Sequence, residues 1–168
     1  MKDFKINSIY DLKKEGKSFY WASLFLPYKS KKNAGELYSI CRYFDNKADK
    51  DKTNQTSFLK NSITEIKNNN LNMIHIFFKK NNINLLILDD MFKGFIMDQK
   101  RKNIKNQKDL IKYSYYVAGT VGLMMSKILK VRNKDALKGA IDLGIAMQLT
   151  NIARDVCEDK ARNRQYVD

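Results

Sequence analysis

Apolar residues three and four positions apart recur along most of this chain of 168 residues. This spacing is typical of helices that bury one face, and no segment shows the alternation of a half-buried strand. The chain contains one proline, Pro27, and seven glycines, so few residues interrupt the helices. The pattern predicts an all-α protein whose residues 1–168 form a single domain.

The pattern predicts six helices, of which the third and fourth are weakened by asparagines. Their bounds are 18–26, 33–50, 58–79, 83–100, 109–129 and about 135–162. The first helix is apolar almost throughout, ends before Pro27 and is expected to bury Trp21 and Phe25. Residues 28–33 are predicted to form a basic connection, and the polar stretch 51–56 is predicted to form a loop.

The second predicted helix carries acidic residues beside its apolar face. Asp45 and Asp49 stand four positions apart, on one line with Tyr38 and Arg42. The apolar stripe lies about a quarter-turn away and consists of Leu37, Cys41, Phe44 and Ala48. Helices on a solvated surface normally place charge opposite the apolar face. We therefore expect this polar line to border the protein core.

The last predicted helix repeats this arrangement around a second pair of aspartates. Its polar line consists of Gln148, Asn151, Asp155, Asp159, Arg162 and Tyr166. Its neighbouring apolar line consists of Ile145, Leu149, Ile152 and Val156. One DxxxD pair arises readily by chance on a surface helix, but two pairs beside apolar edges point to a shared function.

Four carboxylates in one cavity would repel one another unless a cation neutralised them. Oxygen ligands suit Mg²⁺, which commonly bridges carboxylates and substrate phosphates. The two aspartate pairs therefore predict an Mg²⁺ site that binds a diphosphate, with basic residues sharing its charge.

The chain is strongly basic, with 32 Lys and Arg against 18 Asp and Glu, a formal charge of +14. Such a field suits nucleic acid, an anionic membrane surface or a polyanionic substrate, while a solvated lysine surface from an AT-rich genome explains it equally well. No nucleic-acid-binding motif is present, so we expect no nucleic acid partner. Two cysteines without metal spacing, no signal peptide and no membrane span favour a cytoplasmic protein, with peripheral contact on the inner face of the membrane.

Four segments resemble the squalene/phytoene synthase family of head-to-head prenyl synthases. They are SFYWASLFLP, YSICRYFDNKAD, YSYYVAGTVGLMM and LGIAMQLTNIARDVCEDKARNRQY. The second and fourth hold the two aspartate motifs, and within the family VAGTVGLMM followed by QLTNIARD is most similar to bacterial phytoene synthases. The resemblance implies an isoprenoid-synthase helical fold around a central cavity. It also implies Mg²⁺ as cofactor and condensation of two prenyl diphosphates, here geranylgeranyl diphosphate to phytoene for carotenoid synthesis.

The resemblance also implies roles for individual residues. The metal ligands would be Asp45, Asp49, Asn151, Asp155 and Asp159, and the four aspartates would be catalytic together with Tyr38 and Tyr113. The substrate-binding residues would be Ser18, Phe19, Tyr38, Arg42, Tyr113, Gln148, Arg154 and Tyr166. Physical chemistry agrees with these roles, since cations stabilise a departing diphosphate and aromatic faces stabilise a carbocation. Asp98 matches an acidic position of the family, but no role is assigned to it.

The chain departs from the family pattern at three places. Asn46 replaces a usual aspartate, Cys157 replaces a usual glycine, and the sequence stops at Asp168 where the family continues with further helices. We therefore expect a chain that lacks the C-terminal helices, is not a competent synthase alone, and self-associates or requires a separate C-terminal polypeptide.

Several alternatives remain open from the sequence. A squalene or dehydrosqualene synthase differs only in substrate length, and a non-catalytic scaffold protein would keep the fold without the chemistry. The retained aspartates argue against the scaffold. Gly122, four residues after Ala118, is equally consistent with a groove for a prenyl tail and with tight helix packing.

Overall fold

The computed structural model describes residues 8–50, 55–69, 72–99, 104, 106–161 and 166. Over these residues the chain is helical and contains no strand, as the periodicity predicted. The helices are α1 (Ser8–Glu15), α2 (Lys17–Ser23), α3 (Tyr28–Lys50), α4 (Gln55–Asn68), α5 (Met73–Lys80), α6 (Leu85–Gln99), α7 (Gln107–Ser114), a π-helical turn (Tyr115–Gly119), α8 (Thr120–Ile128), α9 (Lys134–Arg154) and α10 (Val156–Ala161).

The chain divides into two compact units, residues 1–51 and 52–168. The single domain expected from the sequence therefore stays a prediction. Each unit has its own buried apolar side chains, and each contains one of the two aspartate motifs. No helix among the described residues is long and apolar enough to cross a membrane.

The first unit is built by α1 packing along α3. Leu12 of α1 and Leu37, Ile40 and Phe44 of α3 are buried, which removes apolar surface from water. The hydroxyl of Ser39 donates to Asp11 Oδ2 at 2.8 Å, so one buried polar contact fixes the relative positions of the two helices.

Three predictions for the first unit were wrong. The helix α1 was not predicted at all, and residues 28–33 form the first turns of α3 rather than a connection. Trp21 and Phe25 do not lie in the core, because their exposed fractions are 67% and 89%. Apolar character along 18–26 therefore indicated a hydrophobic surface instead of a buried helix, and α2 ends at Ser23.

The second unit is organised around the segment 107–128, which packs against α6 on one side and α9 on another.

The predicted helix 58–79 is two helices, and the second begins where Asn72 Oδ1 accepts a hydrogen bond from the backbone N–H of Ile74. Residues 55 and 56, predicted as loop, already belong to α4, while 51–54 lie outside the described residues. The predicted helix 109–129 contains the π-helical turn.

Two glycines let α8 and α9 approach backbone to backbone. A Cβ at Gly122 would overlap the carbonyl oxygen of Ala140, and a Cβ at Gly144 would overlap the carbonyl oxygen of Ala118. No side chain fits at either position without moving a backbone. Of the two interpretations of Gly122, the structure therefore supports tight helix packing.

The predicted helix 135–162 is interrupted inside the second aspartate motif. The helix α9 ends at Arg154, Asp155 has φ −101° and ψ 13°, and α10 starts at Val156. The backbone N–H of Asp159 still donates to the carbonyl oxygen of Asp155 at 2.8 Å, so the two acids remain about one turn apart. Arg162 lies outside the described residues.

Candidate active site

The first aspartate motif forms a line of interacting charges on α3. The guanidinium of Arg42 donates through Nη1 to Asp45 Oδ2 at 2.7 Å and through Nε to Glu15 Oε2 at 2.8 Å. Burial lowers the pKa of Arg42, but the hydrogen bond to Glu15 and the charge of Asp45 outweigh it and raise the pKa. Arg42 is therefore a fixed cation, held from both sides.

Tyr38 stands one turn before Arg42 and lies against the junction of α1 and α2. A Cβ at Gly16 would come within 2.9 Å of the Tyr38 ring, so any side chain there would displace this ring. The ring of Phe19 lies 6.4 Å from that of Tyr38, centroid to centroid. Burial raises the pKa of the Tyr38 hydroxyl, which keeps it a hydrogen-bond donor at neutral pH.

Two further predicted residues of the first unit are less constrained. Ser18 is exposed at the start of α2, and Phe19 is half exposed, consistent with a position at the mouth of a site. The backbone of Asp49 belongs to α3, but its side chain lies outside the described residues. Asn46, beside Asp45 in the sequence, is half-buried.

The second aspartate motif contains its own arginine–aspartate pair. Arg154 donates through Nε to Asp155 Oδ1 at 2.7 Å and through Nη2 to Asp155 Oδ2 at 2.6 Å, a bidentate contact. The hydrogen bond to Asp155 raises the pKa of the Arg154 guanidinium. Asp155 and Asp159 are half-buried, as are Gln148 and Asn151 earlier along the same line.

A buried aromatic wall lies beside the second motif. Tyr113 is only 4% exposed and belongs to a cluster with Ile104 and Ile152, against which Tyr166 and other apolar side chains pack. The rings of Tyr113 and Tyr166 stack with centroids 5.1 Å apart. Ile152, which packs in this cluster, is adjacent to Asn151 on α9, so the cluster and the polar line share one turn of that helix.

The donor chemistry of both motifs fits a hard divalent cation. Asp45 and Asp155 offer only carboxylate oxygens, and each is already neutralised by a guanidinium within hydrogen-bond distance. Among the described residues, no three His, Cys, Asp or Glu side chains come close enough together to bind one metal ion. The ligand types therefore suit Mg²⁺. In each motif an arginine contacts the same carboxylate oxygens that would bind the metal.

Sequence reasoning missed residues that act through long-range contacts. Glu15 holds Arg42 from a helix that was not predicted, and Asp98 contacts Tyr113 and Tyr166, which lie 15 and 68 positions away. A weak signal for Asp98 existed, since it matches an acidic position of the family and lies in the mostly apolar α6 segment MFKGFIMD. Nothing near Glu15 distinguished it from other surface acids.

Comparison with known proteins identifies the family. The squalene/phytoene synthase family model matches residues 12–167. The chain belongs to the squalene/phytoene synthase family. This family consists of prenyltransferases, and the resemblance carried by the two aspartate motifs is confirmed.

Individual relatives are each longer than this chain and match it over part of their length. A 15-cis-phytoene synthase from Paracoccus sp. (strain N81106 / MBIC 01143) is 46% identical over 78 residues, which cover 46% of this chain and 26% of that protein. Phytoene synthase 1, chloroplastic, from Arabidopsis thaliana is 46% identical over 84 residues, covering 46% of this chain and 20% of the relative. A crystal structure of a dehydrosqualene synthase in complex with ligand superposes with a TM-score of 0.85 at 33% identity and covers 95% of this chain. This chain spans 59% of that solved chain, and the all-α family fold is confirmed.

Proposed function

We propose that this chain carries the diphosphate-ionising residues of a phytoene synthase-like prenyltransferase, which condenses two geranylgeranyl diphosphates to phytoene. The observation that carries the proposal is the repeated arginine–aspartate pair, Arg42–Asp45 in one motif and Arg154–Asp155 in the other. In each motif a guanidinium lies within hydrogen-bond distance of carboxylate oxygens. Departure of a diphosphate requires cationic groups and metal-binding oxygens together.

In this proposal the arginines bind diphosphate oxygens and orient the leaving group. Asp45, Asp49, Asn151, Asp155 and Asp159 would hold Mg²⁺, which when bound neutralises the charge of the departing diphosphate. When the substrate arrives, each guanidinium can exchange its carboxylate partner for a phosphate group, because both groups present two oxygens that accept hydrogen bonds from the planar guanidinium. Each motif thus offers a guanidinium to the diphosphate. When no substrate is bound, the same guanidinium is paired with a carboxylate.

The carbocation left by ionisation would meet aromatic walls. Tyr38 with Phe19 in the first unit, and Tyr113 with Tyr166 in the second, offer ring faces that stabilise cations. Gln148 and Ser18 would contact the polar end of the substrate. Exclusion of water by these walls would protect the cation from hydrolysis.

The proposal is tested by product formation and by binding. Fused to the C-terminal helices of a relative and supplied with geranylgeranyl diphosphate and Mg²⁺, the chain should form phytoene, and Asp45→Asn or Asp155→Asn should lower turnover by about 100-fold or more. EDTA should weaken binding of a non-hydrolysable prenyl diphosphate analogue in the parent chain. The matched control is Asp135→Asn on α9, whose carboxylate is 91% exposed and pairs weakly with Lys138 at 4.0 Å. Equal binding with and without EDTA, or equal behaviour of all three variants, would contradict the proposal.

A dehydrosqualene or squalene synthase is the second candidate function. It is favoured by the structural similarity to a dehydrosqualene synthase at a TM-score of 0.85. The two functions are separated by substrate competition between farnesyl and geranylgeranyl diphosphates, since the preferred chain length distinguishes them. A non-catalytic scaffold would turn over neither substrate.

We also propose a cytoplasmic location with peripheral contact on an anionic membrane through α2 and the turn that follows it. Phe19, Trp21, Phe25 and Tyr28 are exposed there, next to lysines of the same segment. Aromatic and basic residues together favour the interface of an anionic bilayer. Because Trp21 is the single tryptophan, its emission should shift to the blue with phosphatidylserine vesicles but not with phosphatidylcholine vesicles. Phe25→Ser should abolish the shift, whereas Met73→Ser on α5 should not.

The exposed apolar residues Leu143 and Met147 on α9 support a further partner. We propose that residues 1–168 act as one domain of the family and that this face of α9 packs against a second copy or a separate C-terminal polypeptide. Sedimentation equilibrium tests the first case, since Leu143→Glu should dissociate a dimer. A parent chain that is monomeric at high concentration supports the second case.

A further inference from the structure

Asp98 links the stacked side chains of Tyr113 and Tyr166 through their hydroxyl groups. The hydroxyl of Tyr113 donates to Asp98 Oδ2 at 2.8 Å, and the hydroxyl of Tyr166 donates to Asp98 Oδ1 at 2.7 Å. Each carboxylate oxygen therefore accepts one phenol. We propose that Asp98 is a positioning residue, which fixes Tyr113 and Tyr166 as one aromatic wall for the cationic intermediate; this inference rests on the proposed function.

The contacts tie together three parts of the second unit. Asp98 is near the end of α6, Tyr113 near the end of α7, and Tyr166 follows α10. The two hydroxyl oxygens also lie 3.3 Å apart, and the ring planes differ by 22°. Without the carboxylate, the hydroxyls of Tyr113 and Tyr166 would lose the acceptor that they share, and the stacked geometry would be held less firmly.

A carboxylate suits this position better than a neutral acceptor. Hydrogen bonds to an ionised acceptor are shorter and stronger than neutral ones, as the 2.7 and 2.8 Å distances illustrate. Donation to an anion leaves more electron density on the phenol rings, which increases their attraction for a cation above their faces. Since both carboxylate oxygens accept from the hydroxyls, the acid supports the wall at the hydroxyl edge of the two rings.

The ionisation of Tyr113 reports on this contact independently of catalysis. Burial raises the pKa of the Tyr113 hydroxyl well above its ordinary value, and the negative charge of Asp98 raises it further. The hydroxyl therefore remains a donor to Asp98 throughout the neutral range. Neutralising Asp98 should remove part of this effect and let Tyr113 ionise at lower pH.

The test compares Asp98→Asn with Asp89→Asn on the same helix. Asp89 accepts a hydrogen bond from Lys67 Nζ at 2.8 Å. Asp89→Asn therefore also removes one negative charge from α6, but at a contact with a lysine instead of with the tyrosines. Tyrosinate absorbance is followed against pH, and subtraction of the Tyr113→Phe titration isolates Tyr113. We expect Asp98→Asn to move this titration to lower pH and Asp89→Asn to leave it in place.

Turnover of geranylgeranyl diphosphate is measured on the same variants, each fused to the C-terminal helices that are used to test the proposed function. We expect kcat of Asp98→Asn to fall about 10- to 100-fold with KM little changed, because the wall is displaced only around the reacting cation. Tyr166→Phe keeps the stacked ring and removes one hydroxyl, so it serves as a second variant if Asp98→Asn folds poorly. It should also shift the Tyr113 titration to lower pH, with a smaller loss of kcat.

The outcomes separate the inference from the proposed function. A shifted titration with unchanged kcat would show that Asp98 is merely structural, and an unshifted titration would show that it does not control Tyr113. Either result overturns the inference. Absence of turnover in the parent chain fused to the C-terminal helices refutes the proposed function instead, and the titration still decides whether Asp98 holds Tyr113.

Discussion

Replacement of Gly144 by alanine tests the close approach of α9 to the segment before α8. The new Cβ would overlap the carbonyl oxygen of Ala118 and lie 2.8 Å from its carbonyl carbon and 3.0 Å from the Cα of Gly119. Carbon atoms in contact normally lie about 3.5–4.0 Å apart, so the helices would have to separate by roughly 1 Å. The obstructing atoms are backbone, which cannot rotate away as a side chain can.

The expected loss follows from two opposing effects. Overpacking typically costs about 1–3 kcal/mol and more where backbone must move, while alanine gains about 1 kcal/mol over glycine within a helix. We expect a net loss of roughly 2–3 kcal/mol in the free energy of unfolding, which corresponds to a melting temperature lower by about 4–12 °C for a chain of this size.

The matched control is Gly139→Ala on the same helix. Gly139 is exposed, and no atom lies within 4 Å of the added Cβ, so this variant retains only the helical gain of about 0.5–1 kcal/mol. Thermal unfolding followed by circular dichroism should move in opposite directions for the two variants. If Gly144→Ala melted at or above the parent temperature, the backbone contact between α9 and Ala118 would not exist as described.

Three further predictions concern stability and reactivity. Ser114→Ala should be neutral or stabilise by up to about 1 kcal/mol in urea unfolding, because Ser114 Oγ is buried without a hydrogen-bond partner among the described residues; a loss above 1 kcal/mol would indicate a hidden partner. Asn133→Ala should cost about 1 kcal/mol in the same assay, since Asn133 Oδ1 accepts from two backbone N–H groups at the start of α9; an unchanged midpoint would refute the cap. A thiol reagent at pH 8 should label exposed Cys157 quickly and half-buried Cys41 much more slowly, because burial raises the pKa of the Cys41 thiol to about 12; equal rates would contradict this.

The helices that carry the aspartate motifs were predictable because their periodicity is strong. Regular spacing placed Arg42 and Asp45 on one line, and the structure joins them at 2.7 Å. In the second motif the same reasoning placed the polar residues correctly up to Asn151 but continued the helix through Asp155, where α9 ends. Helical periodicity identifies a shared face, but it does not locate a break within a polar turn.

The contributions of asparagine were not predictable from composition. Asn72, Asn106 and Asn133 each cap a helix, with the side-chain oxygen accepting from a backbone N–H. Composition alone suggests that such residues reflect genome bias in loops. Capping depends on the one backbone position before the first helical turn, so only the precise start of a helix distinguishes a cap from a loop asparagine.

The exposure of α2 could not be predicted because hydrophobicity along the chain does not specify what covers it. Trp21 and Phe25 have the composition of a core segment, yet both lie on the surface. Burial depends on long-range packing, as it does for Glu15 and Asp98, whose partners are distant in sequence. Such long-range contacts can be identified only once the fold is known.

Because of the π-helical turn at Tyr115–Gly119, the number of residues per helical turn is not constant along the segment 107–128. A π turn closes hydrogen bonds five residues apart rather than four and thus accommodates one residue more than an α-helix of the same length. Tyr113 before the turn and Gly122 after it therefore point to faces that a uniform helical wheel would assign differently. A relative with one residue fewer here could keep both faces in place by replacing the π turn with α-helix. Gaps in comparisons of such chains belong within residues 115–119 rather than in the flanking loops.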